Sequence, residues 1–232
     1  MTLLHEKSLR GRTRMGWLDS HHTFSFGGFH DPRRMGHRAL RVINEDLVIP
    51  GAGFGQHGHR DMDILSYVIS GGLRHGDSMG NTSVIKAGEF QHMYAGTGVT
   101  HSEMNASDTE EVHFLQVWIV PERTGEAPAY FQIEVDLDSR RNGFIQVAGP
   151  EERQSQAVLR SDSRVFMARV DAGQSVRHEF APVRAGFLQV VRGIVEIEGQ
   201  EMSAGDGLQF EAMPVCSLTA SSEADLMLFD LG

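Results

Sequence analysis

Apolar residues in this chain come in short runs, and long helical periodicity is hard to find. The runs fall at 40–43, 64–69, 114–120, 144–147, 165–170, 187–191, 195–197 and 226–231, between turn signals. Such spacing predicts many strands and an all-β barrel or sandwich. Arg192-Gly193 and Glu198-Gly199 punctuate the later runs as turns do. The polar stretch 121–128 (PERTGEAP) reads as a linker, and 139–143 and 151–156 as loops, with room for one helical turn within 150–156.

A weak internal repeat underlies the strands. Val68-Ile69-Ser70-Gly71 resembles Val190-Val191-Arg192-Gly193, an offset of 122 from Gly71 to Gly193. Ala87-Gly88-Glu89 matches Ala204-Gly205-Asp206, an offset of 117 from Gly88 to Gly205. The shared order points to a duplicated β unit, which also accounts for the length of 232 residues. The expected division is a first domain over 1–127 and a second over 128–232.

Composition narrows the function classes. The net charge of −10 argues against general binding to a nucleic-acid backbone, which needs a basic surface. A single cysteine, Cys216, excludes an intrachain disulfide and reads as a core residue. The N-terminal stretch MTLLHEKSLRGRTRMGW carries charge throughout, so no secretory signal is expected. The apolar stretch Val117 to Val120 is far too short to span a bilayer, and a cytoplasmic location is the default expectation. There is no phosphate-binding GxxxxGK[ST] loop and no GxGxxG in a βαβ setting.

Candidate chemistry resides in His57-Gly58-His59 and His101-Ser102-Glu103, two pairs with i, i+2 spacing. On a strand, residues two apart share a face, with Cα atoms roughly 6–7 Å apart. If the two strands are neighbours, three imidazoles and a carboxylate converge on one ion. Imidazole suits zinc, copper, iron and nickel alike, and an added carboxylate with open positions suits iron or another redox metal.

Five segments carry a family resemblance: GWLDSHHTFSF (16–26), RVIN (41–44), GFGQHGHRDMDI (53–64), DSMGN (77–81) and AGEFQHMYAGTGVTHSEMN (87–105). They resemble the two cupin motifs and, more specifically, the pirin family. The likeness is strong over 16–120 and fades in the second half. It implies a bicupin, with two jelly-roll-like β-barrels face to face and little helix. It also implies one divalent metal in the first barrel, usually iron(II), held by His57, His59, His101 and Glu103. Nickel, copper, cobalt, manganese and zinc remain open, since the same donors serve them all. The second barrel, with His178 alone, is expected to be degenerate and free of metal.

One departure leaves a rival. The general cupin pattern puts a carboxylate ligand four residues after the second histidine, where this chain has Asp63. Asp61 and Asp63 share strand parity with His57 and His59, so either competes with Glu103. Asp63 could instead orient a histidine N–H. Among the other histidines, His22 (with Phe24) either lines a pocket mouth or packs an N-terminal arm. His75 and His92 read as solvated or turn residues, and His113 as a satisfied buried histidine. Gln116 is a candidate pocket group.

The resemblance implies a metal-dependent dioxygenase of the quercetin 2,3-dioxygenase type. Its partners would be a flavonol and dioxygen, and it would release carbon monoxide. Glu103 would be the base that takes the 3-hydroxyl proton. The alternative it implies is a metal- or redox-responsive regulator that binds a protein partner without physiological catalysis.

Overall fold

The structure, a computed structural model, describes residues 2–151, 156–211 and 213–232. The loop and helical turn expected within 150–156 therefore lie largely outside the described residues. In chain order the strands are β1 (Thr2–His5), β2 (Gly11–Arg14), β3 (Leu18–His22), β4 (Leu40–Val48), β5 (Gly53–His59), β6 (Asp63–Ser70), β7 (Gly72–Asp77), β8 (Thr82–Lys86), β9 (Glu89–Tyr94), β10 (Val99–Asn105) and β11 (Val112–Ile119). They continue as β12 (Ala129–Glu134), β13 (Ile145–Gly149), β14 (Ala157–Val158), β15 (Ser163–Val170), β16 (Ser175–Glu179), β17 (Ala185–Arg192), β18 (Ile194–Ile197), β19 (Gln200–Ser203), β20 (Gly207–Glu211), β21 (Val215–Ala220) and β22 (Ala224–Leu231). Helix among the described residues amounts to 3-10 turns at Lys7–Leu9 and Asp138–Arg140.

The strands form two jelly-roll-like units, each a seven-stranded sheet over a four-stranded one. The sheet orders are β12-β9-β6-β11-β4-β3-β2 with β5-β10-β7-β8, and β1-β20-β17-β22-β15-β13-β14 with β16-β21-β18-β19. The second set repeats the strand order of the first, differing at the edge where β14 pairs parallel to β13 while β2 pairs antiparallel to β3, and this bears out the duplication. Gly71 and Gly193 make the same tight turn, at φ +78° and +80°. A Cβ at either would meet backbone, Glu111 O at 2.6 Å or Glu223 O at 2.1 Å. Gly71→Ala is therefore expected to cost about 2 kcal/mol or more. Thermal melts should show a fall of roughly 4–8 °C. Gly88→Ala, at φ +87° with open space around it, should cost about half as much.

The units do not divide at 127/128. The first spans Gly11–Val135 with Leu159–Ser161; the second takes the residues up to Arg10, Asp136–Val158 and Asp162–Gly232. The cause is strand pairing. Strand β12 lies in full register along β9, from Ala129↔Tyr94 to Glu134↔Glu89. Strand β1 fills the equivalent edge of the second unit, from Thr2↔Phe210 to His5↔Gly207.

In the second unit, a buried apolar cluster runs through Val176, Leu188, Val195, Met202, Leu208, Phe210, Cys216, Leu218 and Leu228. Side chains of this size contribute about 1.5–3 kcal/mol each on burial. In the first unit, Leu18, Val48, Val68, Leu73, Ile85, Val112 and Phe114 form one cluster, and Ile64, Met93, Ala95 and Val99 another. Between these two clusters the sheet carries polar residues.

Candidate metal centre

The polar residues form one row. Cross-strand partners across the large sheet are Gln91↔Ser66, Ser66↔Gln116, Gln116↔Asn44 and Asn44↔His22. Directly opposed residues of antiparallel strands share a face, so the row crosses the interior of the first unit. Gln91, Ser66, Asn44 and His22 are buried. The corresponding row of the second unit is Leu208↔Leu188, Leu188↔Leu228 and Leu228↔Phe166. Burying polar groups costs free energy unless they are paired, so a polar row in place of an apolar one marks a site.

Strands β5 and β10 place the four candidate ligands opposite this row. His57 lies directly across from His101, and His59 across from Val99. A bulge between His101 and Glu103 then sets Glu103 opposite Phe54. Ring centroids are 4.4 Å apart for His57–His101, 4.8 Å for His57–His59 and 5.0 Å for His59–His101. One nitrogen from each imidazole lies within 4.8 Å of the others. The cluster that converges in this way holds three imidazoles, and Glu103 stands outside it.

The nitrogens fit a cation. Both ring nitrogens of His101 are buried with no hydrogen-bond partner, a costly state unless an ion or another group is supplied. His57 donates its Nδ1 hydrogen to the Gly55 carbonyl at 2.8 Å, which leaves Nε2 free to ligate. Burial, reinforced by the neighbouring imidazoles, lowers His101 to about 3, and burial with His57 lowers His59 to about 4. Both are thus neutral and able to donate a lone pair at pH 7.

Glu103 is 1% exposed and is held by two residues of the polar row. Gln116 Nε2 donates to Oε2 at 2.7 Å and Ser66 Oγ to Oε1 at 3.2 Å. Burial pushes its carboxyl up to about 7 against those two stabilising bonds. The rival carboxylates are occupied elsewhere. Asp63 pairs with His92 Nε2 at 2.7 Å and accepts the Arg160 backbone N–H at 2.9 Å. Asp61 accepts the Gly125 N–H at 2.7 Å. Asp63 does orient a histidine, but that histidine is His92, outside the cluster.

His92 and His75 are both buried, contrary to the expectation of solvated or turn residues. His75 Nε2 pairs with Asp77 Oδ2 at 2.9 Å, and its ring stacks on Tyr130. His92 meets its carboxylate on a neighbouring strand, whereas His75 pairs with Asp77 two residues on along its own strand. His113 is half-buried and satisfied by Glu45 at 2.9 Å. His22 is buried, pairs with Asn44 and Thr13 at 2.8 Å each, and lines the pocket, whereas Phe24 is core.

The register that sets the site also locates its counterparts in the second unit. His178 pairs across from Cys216 as His57 does from His101. By the same pairing, Phe180 and Leu218 match His59 and Glu103. His178 Nε2 bonds Asp230 at 3.0 Å among the rings of Phe144, Phe166 and Phe180. Cys216 is buried, and burial pushes its thiol up to about 12.

A pocket of about 340 Å³ opens beside the imidazoles. Leu18, Phe26, Phe54 and Trp118 give it apolar walls, His57 and His59 lie at its lining, and Ser20, His22, Asn44, Asp46 and Gln116 supply polar groups. That volume lies at the small end of the usual range for small-molecule sites. Sequence reasoning missed Ser66, Gln91, Asn44 and Asp46. For Ser66 the available signal was a single polar residue inside an apolar run, Leu65-Ser66-Tyr67; Gln91, Asn44 and Asp46 lie among other polar residues and gave none.

Family models match most of the chain. A family model described as Pirin matches residues 5–119, and one described as Quercetinase C-terminal cupin domain matches 146–231. Quercetin 2,3-dioxygenase of Escherichia coli K12 is 42% identical over 231 residues, covering 100% of this chain and 99% of that protein. The chain belongs to the pirin family. A pirin-like protein of Caulobacter vibrioides is 36% identical over 216 residues, 93% of each chain. The crystal structure of the E. coli protein YhhW matches with a TM-score of 0.96 at 42% identity, covering 100% of this pirin and 98% of that chain. The bacterial pirin YhhW in complex with nickel(II) matches with a TM-score of 0.94 at 42% identity, over 100% and 99%. The bicupin architecture of this pirin is thus the one its motifs implied. No helix among the described residues is long and apolar enough to cross a membrane.

Two buried acids give the metal-free pirin a pH signature. Burial raises Asp46 to about 7 despite its Ser20 hydrogen bond, as it raises Glu103. The folded chain therefore keeps protons that the unfolded chain releases near pH 4. Between about pH 4 and 7 the unfolded state binds fewer protons, so stability falls as pH rises across that window. In urea melts of metal-free protein, the wild type should lose about 2 kcal/mol more than Asp46→Asn between pH 5 and 7. Equal losses would show that Asp46 does not titrate as a buried acid.

Proposed function

We propose that this pirin is a metal-dependent flavonol 2,3-dioxygenase of the quercetinase type. In this reading the first unit holds one divalent ion through His57, His59, His101 and Glu103, and the second unit holds none. The observation that carries it is the convergence of three imidazoles, with both His101 nitrogens orphaned, beside an apolar pocket. The relative named quercetin 2,3-dioxygenase supplies the substrate class. Iron(II) is the redox-competent occupant. Nickel(II), held by the E. coli pirin, suits the same donors.

A bound ion would supply Lewis-acid polarisation of the flavonol 3-hydroxyl and open positions where the flavonol and dioxygen meet. The protein contributes the remainder. Leu18, Phe26, Phe54 and Trp118 exclude water and flank a planar ring system. Phe26 and Trp118 stand edge to face at 5.5 Å, so the aromatic wall is braced. In this reading Glu103 is the base that takes the 3-hydroxyl proton. Gln116 and Ser66 fix the carboxyl for that transfer. Trp118 Nε1 in turn donates to Gln116 Oε1 at 3.3 Å, which orients the amide.

The test is aerobic incubation of metal-loaded protein with quercetin. Loss of the flavonol absorbance with carbon monoxide release supports the reading. Metal-loaded protein that leaves quercetin intact refutes it and favours the regulatory alternative.

A further inference from the structure

The reaction above uses the imidazole cluster and Glu103 and leaves unused a buried carboxyl that lines the pocket itself. Asp46 is 2% exposed and lies on β4 two residues from Asn44, on the inner face of the sheet. It sits across from Ser20 on β3 and Phe114 on β11. Ser20 hydrogen-bonds to its carboxyl, yet Oδ1 is buried with no hydrogen-bond partner. The residue lines the pocket together with His57 and His59.

Other polar groups of the pocket are already engaged. His22 bonds to Thr13 through Nε2 and to Asn44 through Nδ1. Gln116 donates to Glu103 and accepts from Trp118. Asp46 Oδ1 is thus an open acceptor in an aromatic cavity, a state that costs stability until a donor arrives. An acceptor among Phe26, Phe54 and Trp118 suits a hydroxyl carried on a flat aromatic ring.

We propose that Asp46 is the second anchor of the substrate, accepting through Oδ1 a hydrogen bond from a phenolic hydroxyl other than the one handled at the imidazole cluster. The assignment rests on the flavonol reading above. Two attachment points fix both the plane and the register of the ring system, which a single attachment at the cluster does not. Asp46 is then a specificity residue that separates polyhydroxylated flavonols from bare ones.

The experiment is anaerobic titration of metal-loaded protein with quercetin and with 3-hydroxyflavone, which carries only the 3-hydroxyl. Wild type, Asp46→Asn and Asp46→Ala are compared, with metal content and melting temperature recorded for each. Wild type should bind quercetin about tenfold more tightly than 3-hydroxyflavone. Asp46→Ala should erase that preference by weakening quercetin alone. Asp46→Asn, which keeps an acceptor oxygen, should retain part of it. A merely structural role would weaken both ligands equally. Equal weakening, or an unchanged preference, overturns the assignment while quercetin turnover by wild type leaves the flavonol reading standing. If wild type binds neither ligand, the flavonol reading falls and the Asp46 assignment falls with it.

Discussion

His101→Ala is expected to bring bound metal from about one equivalent per chain to below a tenth, and to abolish flavonol cleavage. His101 is the central imidazole, on the strand between β5 and β7, and it approaches both His57 and His59. It is fully buried, and neither nitrogen has another partner. Removing it leaves two imidazoles on one strand edge, too few to retain an ion against dilution; even an outer hydrogen-bonding partner of a ligand is worth 10–100-fold in affinity. The fold should tolerate the change, because an unpartnered buried imidazole stabilises the metal-free chain little. His178→Ala is the control. Its bond is to Asp230, and metal content should not change. Elemental analysis of the three proteins decides the matter. Wild-type metal content in His101→Ala would remove the cluster as the site.

The second large effect is at Glu103. Glu103→Gln preserves shape but removes the proton acceptor, and kcat should fall by about 10²–10⁴. Metal affinity should fall as well, by less than in His101→Ala. Asp63→Ala is the informative contrast. Asp63 is fully buried and pairs with His92, so its loss leaves a buried hydrogen-bonding group without its partner and costs about 1–3 kcal/mol. The melting temperature should drop, while metal per folded chain stays at the wild-type level. Retained metal and turnover in Glu103→Gln, with metal lost from folded Asp63→Ala, would transfer the fourth-ligand role to Asp63.

Much of this was legible in the sequence, for physical reasons that also explain what was not. Strands with long apolar runs, such as β6 and β22, stood out because both faces are buried. Short polar strands such as β8 and β19 did not, since they are partly exposed and lack a run. The duplication was visible through Gly71 and Gly193, where backbone crowding forbids any side chain. The domain boundary was not, because β1 pairs with a strand about two hundred residues away. His57, His59 and His101 were readable because strand parity alone puts each pair on one face. The burial of His92 was hidden because its partner Asp63 lies on a neighbouring strand, and that of His75 because the fold lays the distant Tyr130 against its ring. The polar row was the largest omission. Ser66 and Gln116 each stand alone in an apolar run while Asn44 opens the polar stretch Asn44-Glu45-Asp46, and only cross-strand register aligns the three.

That row separates the two units of the pair. Where the first unit has Ser66 and Gln116 holding Glu103, the second has Leu188 and Leu228 beside Leu218. The duplicated scaffold carries an apolar core in one copy and a site in the other, at a cost in stability that two buried acids raised to about 7 make measurable.

The most direct measurement combines elemental analysis with dioxygen uptake on one sample purified without added metal. The account predicts about one divalent transition-metal ion per chain and, on adding quercetin, one dioxygen consumed and one carbon monoxide released per flavonol. A sample carrying its full equivalent of metal that consumes no dioxygen with quercetin would contradict it.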